Sequence, residues 1–118
     1  MMKNILFIGD VFGKPGRNCL KSLLPEIKKE FAIDLTIANG ENAASGMGIN
    51  QKKYLDMIEC GVDAVTLGNH AWHVKEFLNE IENCPKIVRP GNYPPGTPGL
   101  EKLVINGIGI INLVGRVF

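Results

Sequence analysis

Long hydrophobic runs, a one-signed charge balance and a usable cysteine set are all missing from this chain of 118 residues. No apolar stretch approaches the roughly 20 residues of a membrane span. The run after Met1-Met2-Lys3-Asn4 is also too short for the h-region of a secretory signal. A cytoplasmic protein with no membrane partner is expected. With 13 Lys and Arg against 12 Asp and Glu, the formal net charge is +1. That balance carries no sign of a polyanion-binding surface, so no nucleic-acid polymer is expected as a partner. The three cysteines, Cys19, Cys60 and Cys84, are odd in number and lack C-x-x-C spacing. They argue against both a disulfide framework and a zinc ribbon and read as reduced thiols on helices. The length allows at most one domain with a modest core.

What the chain does have is three short apolar runs that each break off into a metal-ligand type of residue. Ile5 to Gly9 ends in Asp10, Leu35 to Gly40 ends in Glu41-Asn42, and Ala64 to Gly68 ends in Asn69-His70. Uncharged, β-branched runs bounded by Gly read as buried strands, and the helical periodicity between them makes the strands parallel neighbours. Their carboxyl ends then lie along one edge, where open α/β sheets bind ligands. Asp10, Glu41, Asn42, Asn69 and His70 are thereby expected in one crevice.

Between the strands, Gly13-Lys14-Pro15-Gly16 reads as a turn. Arg17 to Phe31 reads as a helix with Leu20, Leu23, Leu24, Ile27 and Phe31 on its inner face and a bend at Pro25. Asn50 is the expected N-cap of a second helix running to about Cys60, with Leu55 and Ile58 inward and Gly61 as the stop. A third helix over 74–81 should present Phe77, Leu78 and Ile81, and Pro85 precedes a short strand at Ile87-Val88. The loop Arg89 to Gly99 holds four prolines and three glycines. It reads either as a stiff connector or as a wall of the crevice, with Arg89 and Asn92 the groups to watch. Asn106-Gly107 between Leu103-Val104-Ile105 and Ile108 to Leu113 marks a hairpin. The fold class is thus α/β, a layered sheet with flanking helices in the order β-α-β-α-β-α-β followed by a hairpin.

Hard divalent cations want oxygen donors, and a carboxylate that bridges two ions is the usual centre of a two-metal hydrolytic site. Glu41 or Asp10 suits that role, Asn69 between Gly and His reads as a ligand, and His70 as a proton donor. Taken singly, each residue could instead cap a helix, make a side-chain turn or sit in solvent. Delivery of all of them by three strands to one edge favours a site. Trp72 and His73 read as packing or rim residues. A dinucleotide site fits poorly, because the spacing is G-x-x-x-G-x-x-G, Asp10 places negative charge where pyrophosphate would lie, and Pro15 removes an amide donor. The Walker pattern fails on spacing and on Pro15. A non-catalytic binding or assembly module that uses the same crevice or an exposed face to hold a nucleotide or a partner chain stays open as a second class.

Taken together, Gly9-Asp10-Val11-Phe12-Gly13, Asn39-Gly40-Glu41-Asn42-Ala43-Ala44 and Gly68-Asn69-His70-Ala71-Trp72 closely resemble the YmdB-like branch of the calcineurin-type metallophosphoesterases. The resemblance extends to the Arg89-Pro90…Asn92…Gly96-Thr97-Pro98-Gly99 loop and to Ile111-Asn112-Leu113…Gly115-Arg116…Phe118. It implies a four-layer α/β fold, two divalent metal ions (iron or manganese), and hydrolysis of phosphodiesters, cyclic nucleotides included. By motif, Asp10 would ligate one ion, Glu41 would bridge both, Asn42 would assist the first, Asn69 would hold the second and His70 would donate a proton. Two departures stand out. His73 occupies a position where the family usually has Asp, and the family's remaining ligands are histidines of a second half that this sequence does not reach. Two ions need roughly eight to twelve donors, more than these residues supply. The expectation is therefore the N-terminal half of one metallophosphoesterase domain, truncated, with half a metal site and little activity alone. Its partner would be the missing half or a second copy, docked on an exposed apolar sheet face or edge.

Overall fold

Ile5–Ile8 form the first strand, β1, and the parallel sheet grows from it in chain order. The computed structural model describes residues 2–115. In it β1, β2 (Leu35–Asn39), β3 (Ala64–Thr66) and β4 (Ile87–Val88) lie side by side in the order β1-β2-β3-β4. All neighbours are parallel, with Ile5 opposite Leu35, Ile37 opposite Ala64 and Val65 opposite Ile87. The connections are α1 (Gly13–Glu30), α2 (Gln51–Glu59), and α3 (Phe77–Glu80), which continues into a 3-10 turn at Ile81–Asn83. An antiparallel hairpin of β5 (Lys102–Ile105) and β6 (Ile108–Ile111) follows. The expected β-α-β-α-β-α-β order with a terminal hairpin is what the chain adopts. Arg116 and Phe118, which shared in the family resemblance, lie outside the described residues.

Each face of the sheet has its own core. Leu20 and Leu24 of α1, Tyr54 and Met57 of α2, and Phe77 pack with Ala38, Val65 and Ile87 on one side. On the other, Leu103, Ile105, Ile108 and Ile110 of the hairpin cover Leu35, Ile37, Ala64 and Val88. Helices, parallel sheet and hairpin make three layers, so the described residues supply three of the four that the resemblance implies. Asn106 (φ 51°) and Gly107 (φ 77°) both take the left-handed conformation of a tight hairpin turn, as the Asn-Gly pair foretells.

Several local expectations shift. The segment 13–16 is not a turn but the start of α1, where Pro15 costs nothing because first-turn N–H groups have no helical acceptor. Pro25 lies inside this single helix and does not end it. Leu20 and Leu24 are buried, whereas Leu23 and Phe31 are exposed, Phe31 being already the C-cap. Asn50 does cap α2, its side chain accepting from the Lys53 N–H at 2.9 Å. The inward residues of α2, however, are Tyr54 and Met57, and Leu55 is exposed. The Tyr54 ring reaches the turn just before β4, where its hydroxyl accepts from the Lys86 N–H at 3.2 Å, and that contact favours this rotation of the helix. The third helix begins later than expected, at Phe77, and Leu78 points outward while Phe77 and Ile81 are buried. Finally, β1 is not a buried strand. Ile5 and Phe7 are 49% and 59% exposed, because the hairpin covers β2 to β4 and stops short of the sheet's first strand.

Candidate metal centre

Main-chain bonds beyond the strands hold the carboxyl ends of the sheet in step. Val11 N–H donates to Asn39 O at 3.0 Å, Gly13 N–H to Asn42 O at 2.9 Å, and Gly40 N–H to Thr66 O at 2.9 Å. The turns after β1, β2 and β3 are thereby stacked along one edge, and four of the five expected residues are linked there in two pairs.

The first pair joins β1 to β2. Asn42 Nδ2 donates to Asp10 Oδ1 at 2.7 Å, while Asn42 Oδ1 is buried with no hydrogen-bond partner among the described residues. A buried amide oxygen without a donor is costly and calls for a ligand or an ion. Asp10 itself is exposed and holds φ at 30°, a conformation L-residues rarely adopt and one that concentrates at functional sites.

The second pair joins β2 to β3. Glu41 Oε2 accepts the His70 N–H at 3.1 Å, and Asn39 Nδ2 approaches Glu41 Oε1 at 3.4 Å. The carboxylate lies directly over Gly68, where a Cβ would collide with both of its oxygens. Gly68 is therefore required for the close approach of Glu41 to the third strand. Asn69 sits between Gly68 and His70 in the same turn; it is exposed, and its side chain makes no hydrogen bond among the described residues. The half-buried His70 ring lies edge-on to His73, with centroids 6.2 Å apart. Trp72 packs between Phe77 and Tyr93, with centroids at 6.1 and 6.4 Å, in the packing role expected of it.

Supporting groups that sequence reasoning missed surround these pairs. Arg17 of α1 donates through Nη1 to Ala43 O and, at 2.8 Å, to Ala44 O, bracing the turn that carries Glu41 and Asn42. Tyr93 donates its hydroxyl to Gly68 O at 2.7 Å, and Asn112 Nδ2 donates to Leu67 O. The Tyr93 phenol is held above its usual value, first by burial and then by the Glu41 carboxylate, with Arg89 opposing. The only forewarning of Tyr93 was an aromatic hydroxyl in a Pro-Gly loop.

That loop connects β4 to the hairpin and lies against the β3 turn, where Tyr93 is bonded to Gly68 O. Arg89, 2% exposed, is not a ligand-facing group: its guanidinium donates to Pro98 O, Pro90 O, Thr97 O and Glu101 Oε1 at 2.8–3.3 Å, folding the loop around itself. Asn92 exchanges two hydrogen bonds with Val114, donating at 2.7 Å and accepting at 3.0 Å.

Asp10, Glu41, Asn42 and Asn69 are all oxygen donors, the set that suits a hard divalent cation. Among the described residues no three His, Cys, Asp or Glu side chains form a metal-holding group. The arrangement fits part of a coordination shell. No helix among the described residues is long and apolar enough to cross a membrane.

A parallel sheet with helices on one face and a hairpin on the other, and with oxygen donors at its strand ends, defines an α/β architecture of the kind whose carboxyl edge commonly holds ligands. The chain belongs to the YmdB-like protein family, which it matches over residues 6–118. It is 48% identical over 118 residues to the 2′,3′-cyclic-nucleotide 2′-phosphodiesterase of Bacillus subtilis, covering 97% of this chain and 45% of that protein. A solved structure described as a novel phosphatase from Mycoplasma pneumoniae superposes with a TM-score of 0.87 at 36% identity, over 99% of this chain and 46% of that one. A hypothetical protein from Thermus thermophilus gives a TM-score of 0.82 at 45% identity, over 96% of this chain and 45% of that one. The chain thus spans less than half the length of each.

Proposed function

We propose that these residues form the N-terminal part of a single metal-dependent phosphodiesterase domain and contribute half of a dinuclear metal site. Asp10 and Asn42 would hold one divalent cation, Asn69 the other, and Glu41 would lie between them, with iron or manganese as the metals. When bound, the cations would supply charge neutralisation at the phosphoryl oxygens and activation of water. This chain's own contribution is to fix the donors and to present the His70 ring for proton transfer to the leaving oxygen. Glu41 has a second task, holding the His70 main chain and so the direction from which that ring enters the crevice.

One observation carries the reading. The ends of three separate strands are joined through ligand-type side chains, Asp10 to Asn42 and Glu41 to the His70 turn, around a buried amide oxygen that has no donor among the described residues. The name borne by the Bacillus subtilis relative supports a phosphodiester substrate, 2′,3′-cyclic nucleotides first, and that of the Mycoplasma pneumoniae structure supports a phosphoester more broadly. Four oxygen donors cannot complete two coordination shells, which require about six positions each. The remaining donors would come from outside these residues, so little or no turnover is expected of the chain by itself.

The test is hydrolysis of a 2′,3′-cyclic nucleotide with manganese present. The chain alone should show little turnover. Co-expression with the part of the Bacillus subtilis relative beyond the matched region should raise it, and His70→Ala should then lower it by about 10²-fold or more. Turnover indifferent to His70→Ala would contradict the assignment.

A further inference from the structure

A cleft of about 470 Å³ lies between α1 and α2, and none of Asp10, Glu41, Asn42, Asn69 and His70 lines it. Its floor is apolar, built from Leu20, Pro25 and Met57, and its walls are charged. Both helices lead from the carboxyl edge of the parallel sheet back to the opposite edge, so they run side by side in the same direction. Lys14 and Arg17, at the start of α1, therefore lie at the end of the cleft nearest the crevice, and Asp56 and Glu59, at the end of α2, line the far end. This placement opposes both helix dipoles. The first turn of α1 is the positive end of its dipole, yet it carries Lys14 and no acid. The last turn of α2 is the negative end, yet it carries Asp56 and Glu59 and no base. Nor do the walls neutralise each other. Among the described residues Lys14, Arg17, Lys21 and Glu59 form no ion pair, and Asp56 reaches only Lys53 of its own helix, at 3.9 Å. Lys28, the next base along α1, is turned to Gly61 O at 2.7 Å and to Asp63. At the far end the two acids outnumber Lys21, and all three act on the Cys60 thiol, which burial raises first, Lys21 lowers and the acids raise further.

We infer that this cleft is a second ligand site, for a mononucleotide whose base carries an amino group, and that Arg17 couples it to the turn bearing Glu41 and Asn42. The phosphate lies against Lys14, Arg17 and Asn18, the base covers the apolar floor, and its amino group donates to Asp56 or Glu59. Size and length select this class of ligand. The volume is that of a small-molecule site. Lys14 to Lys21 covers about 10 Å along α1, a length that an extended mononucleotide spans. Inorganic phosphate would leave the floor and the acids uncovered, and a free amino acid holds its two charges too close together to reach both ends. The coupling follows from how Arg17 divides its donors. Nη1 donates to Ala43 O and Ala44 O, while Nε and Nη2 make no hydrogen bond among the described residues. A phosphate on those remaining donors holds the guanidinium from both sides and steadies the 43–46 turn, which makes the nucleotide an effector of the crevice.

The experiment is calorimetric titration of the chain with adenosine 5′-monophosphate in a chelator, with amide exchange over 43–46 and alkylation of Cys60 followed on the same samples. Saturable binding at one site is expected, weakened about tenfold or more by Lys14→Glu and by Glu59→Lys. Lys52→Glu, at an exposed position of α2 outside the cleft, should leave it unchanged. Both cleft variants bring charge into accord with the helix dipoles, so they should be at least as stable as the parent, which thermal unfolding checks. Bound nucleotide should slow alkylation of Cys60, which lines the cleft, but not of Cys19, which does not, and should slow exchange over 43–46. Inosine 5′-monophosphate, which lacks the amino group, should bind about tenfold or more weakly, and inorganic phosphate more weakly still. No saturable binding, equal binding of the inosine nucleotide, or binding indifferent to both cleft variants would overturn the inference. Binding that leaves exchange over 43–46 unchanged would overturn the coupling through Arg17. Because no metal is used, these outcomes are separate from failure of the catalytic reading.

Discussion

The Glu41 carboxylate accepts the His70 main-chain N–H at 3.1 Å while lying over Gly68, so the acid of the second strand end fixes the turn of the third. Close packing of a carboxylate on a strand leaves no room for a side chain. Gly68→Ala should destabilise the fold by about 1 kcal/mol, since only the flexible end of the Glu41 side chain has to move, read from urea denaturation. An unchanged midpoint would show that the carboxylate moves freely and that its position is not built into the sheet.

Asp10 separates stability from function. Its φ of 30° costs on the order of 1 kcal/mol, which glycine would not incur. Asp10→Gly loses only an exposed hydrogen bond to Asn42. Thermal unfolding should therefore show equal or higher stability, and manganese uptake should fall. Marked destabilisation would mean that the backbone at this position is not strained.

Arg89 organises the loop that carries Tyr93. Replacing it with Met would leave the carbonyls of Pro90, Thr97 and Pro98 without their donor, at a cost of about 3 kcal/mol or more. Arg89→Lys should rescue little, since an ammonium group cannot serve the same fork of acceptors. Proteolysis of the segment 90–99 should accelerate in both variants. Slow proteolysis of Arg89→Met would contradict the central place given to this side chain.

Burial, with Glu80 adding to it, pushes the Cys84 thiol from its usual 9.0 to about 11. The native state then holds this proton more tightly than the unfolded chain. The associated stability is complete below pH 9 and is lost as pH rises from 9 through 11, by about 2–3 kcal/mol. Tyr54 and Tyr93, both raised from 10.0 by burial, act in the same direction. Urea midpoints at pH 8 and pH 11 should fall more for the parent chain than for Cys84→Ala. Alkylation of the native protein should also reach exposed Cys19 well before Cys84.

Much of this arrangement is legible in the chain itself, where local chemistry decides the outcome. Gly-bounded apolar runs announce parallel strands, Asn106-Gly107 a hairpin turn and Asn50 a helix cap, and each signal acts within a few residues. The convergence of Asp10, Asn42, Glu41 and the His70 turn follows from strand order alone. Features decided by distant contacts stay hidden. Tyr54 rather than Leu55 faces inward because its hydroxyl finds Lys86, just before β4 and more than thirty positions away in the chain. Tyr93 and Asn112 reach the β3 turn only after the loop and the hairpin have folded back. Nothing within Ile5-Leu6-Phe7-Ile8 distinguishes a strand covered on both faces from one at the sheet edge, and it is the structure that leaves Ile5 and Phe7 exposed and β1 without an outer neighbour among the described residues.

The most direct test of the central claim is equilibrium dialysis against manganese, comparing the parent chain with Glu41→Ala. Dialysis registers the weak binding expected of half a site. Saturable uptake of roughly one ion per chain, abolished by Glu41→Ala, is the predicted result. No saturable uptake by the parent chain, or the same uptake by both proteins, would contradict the assignment of a metal centre to the strand-end crevice.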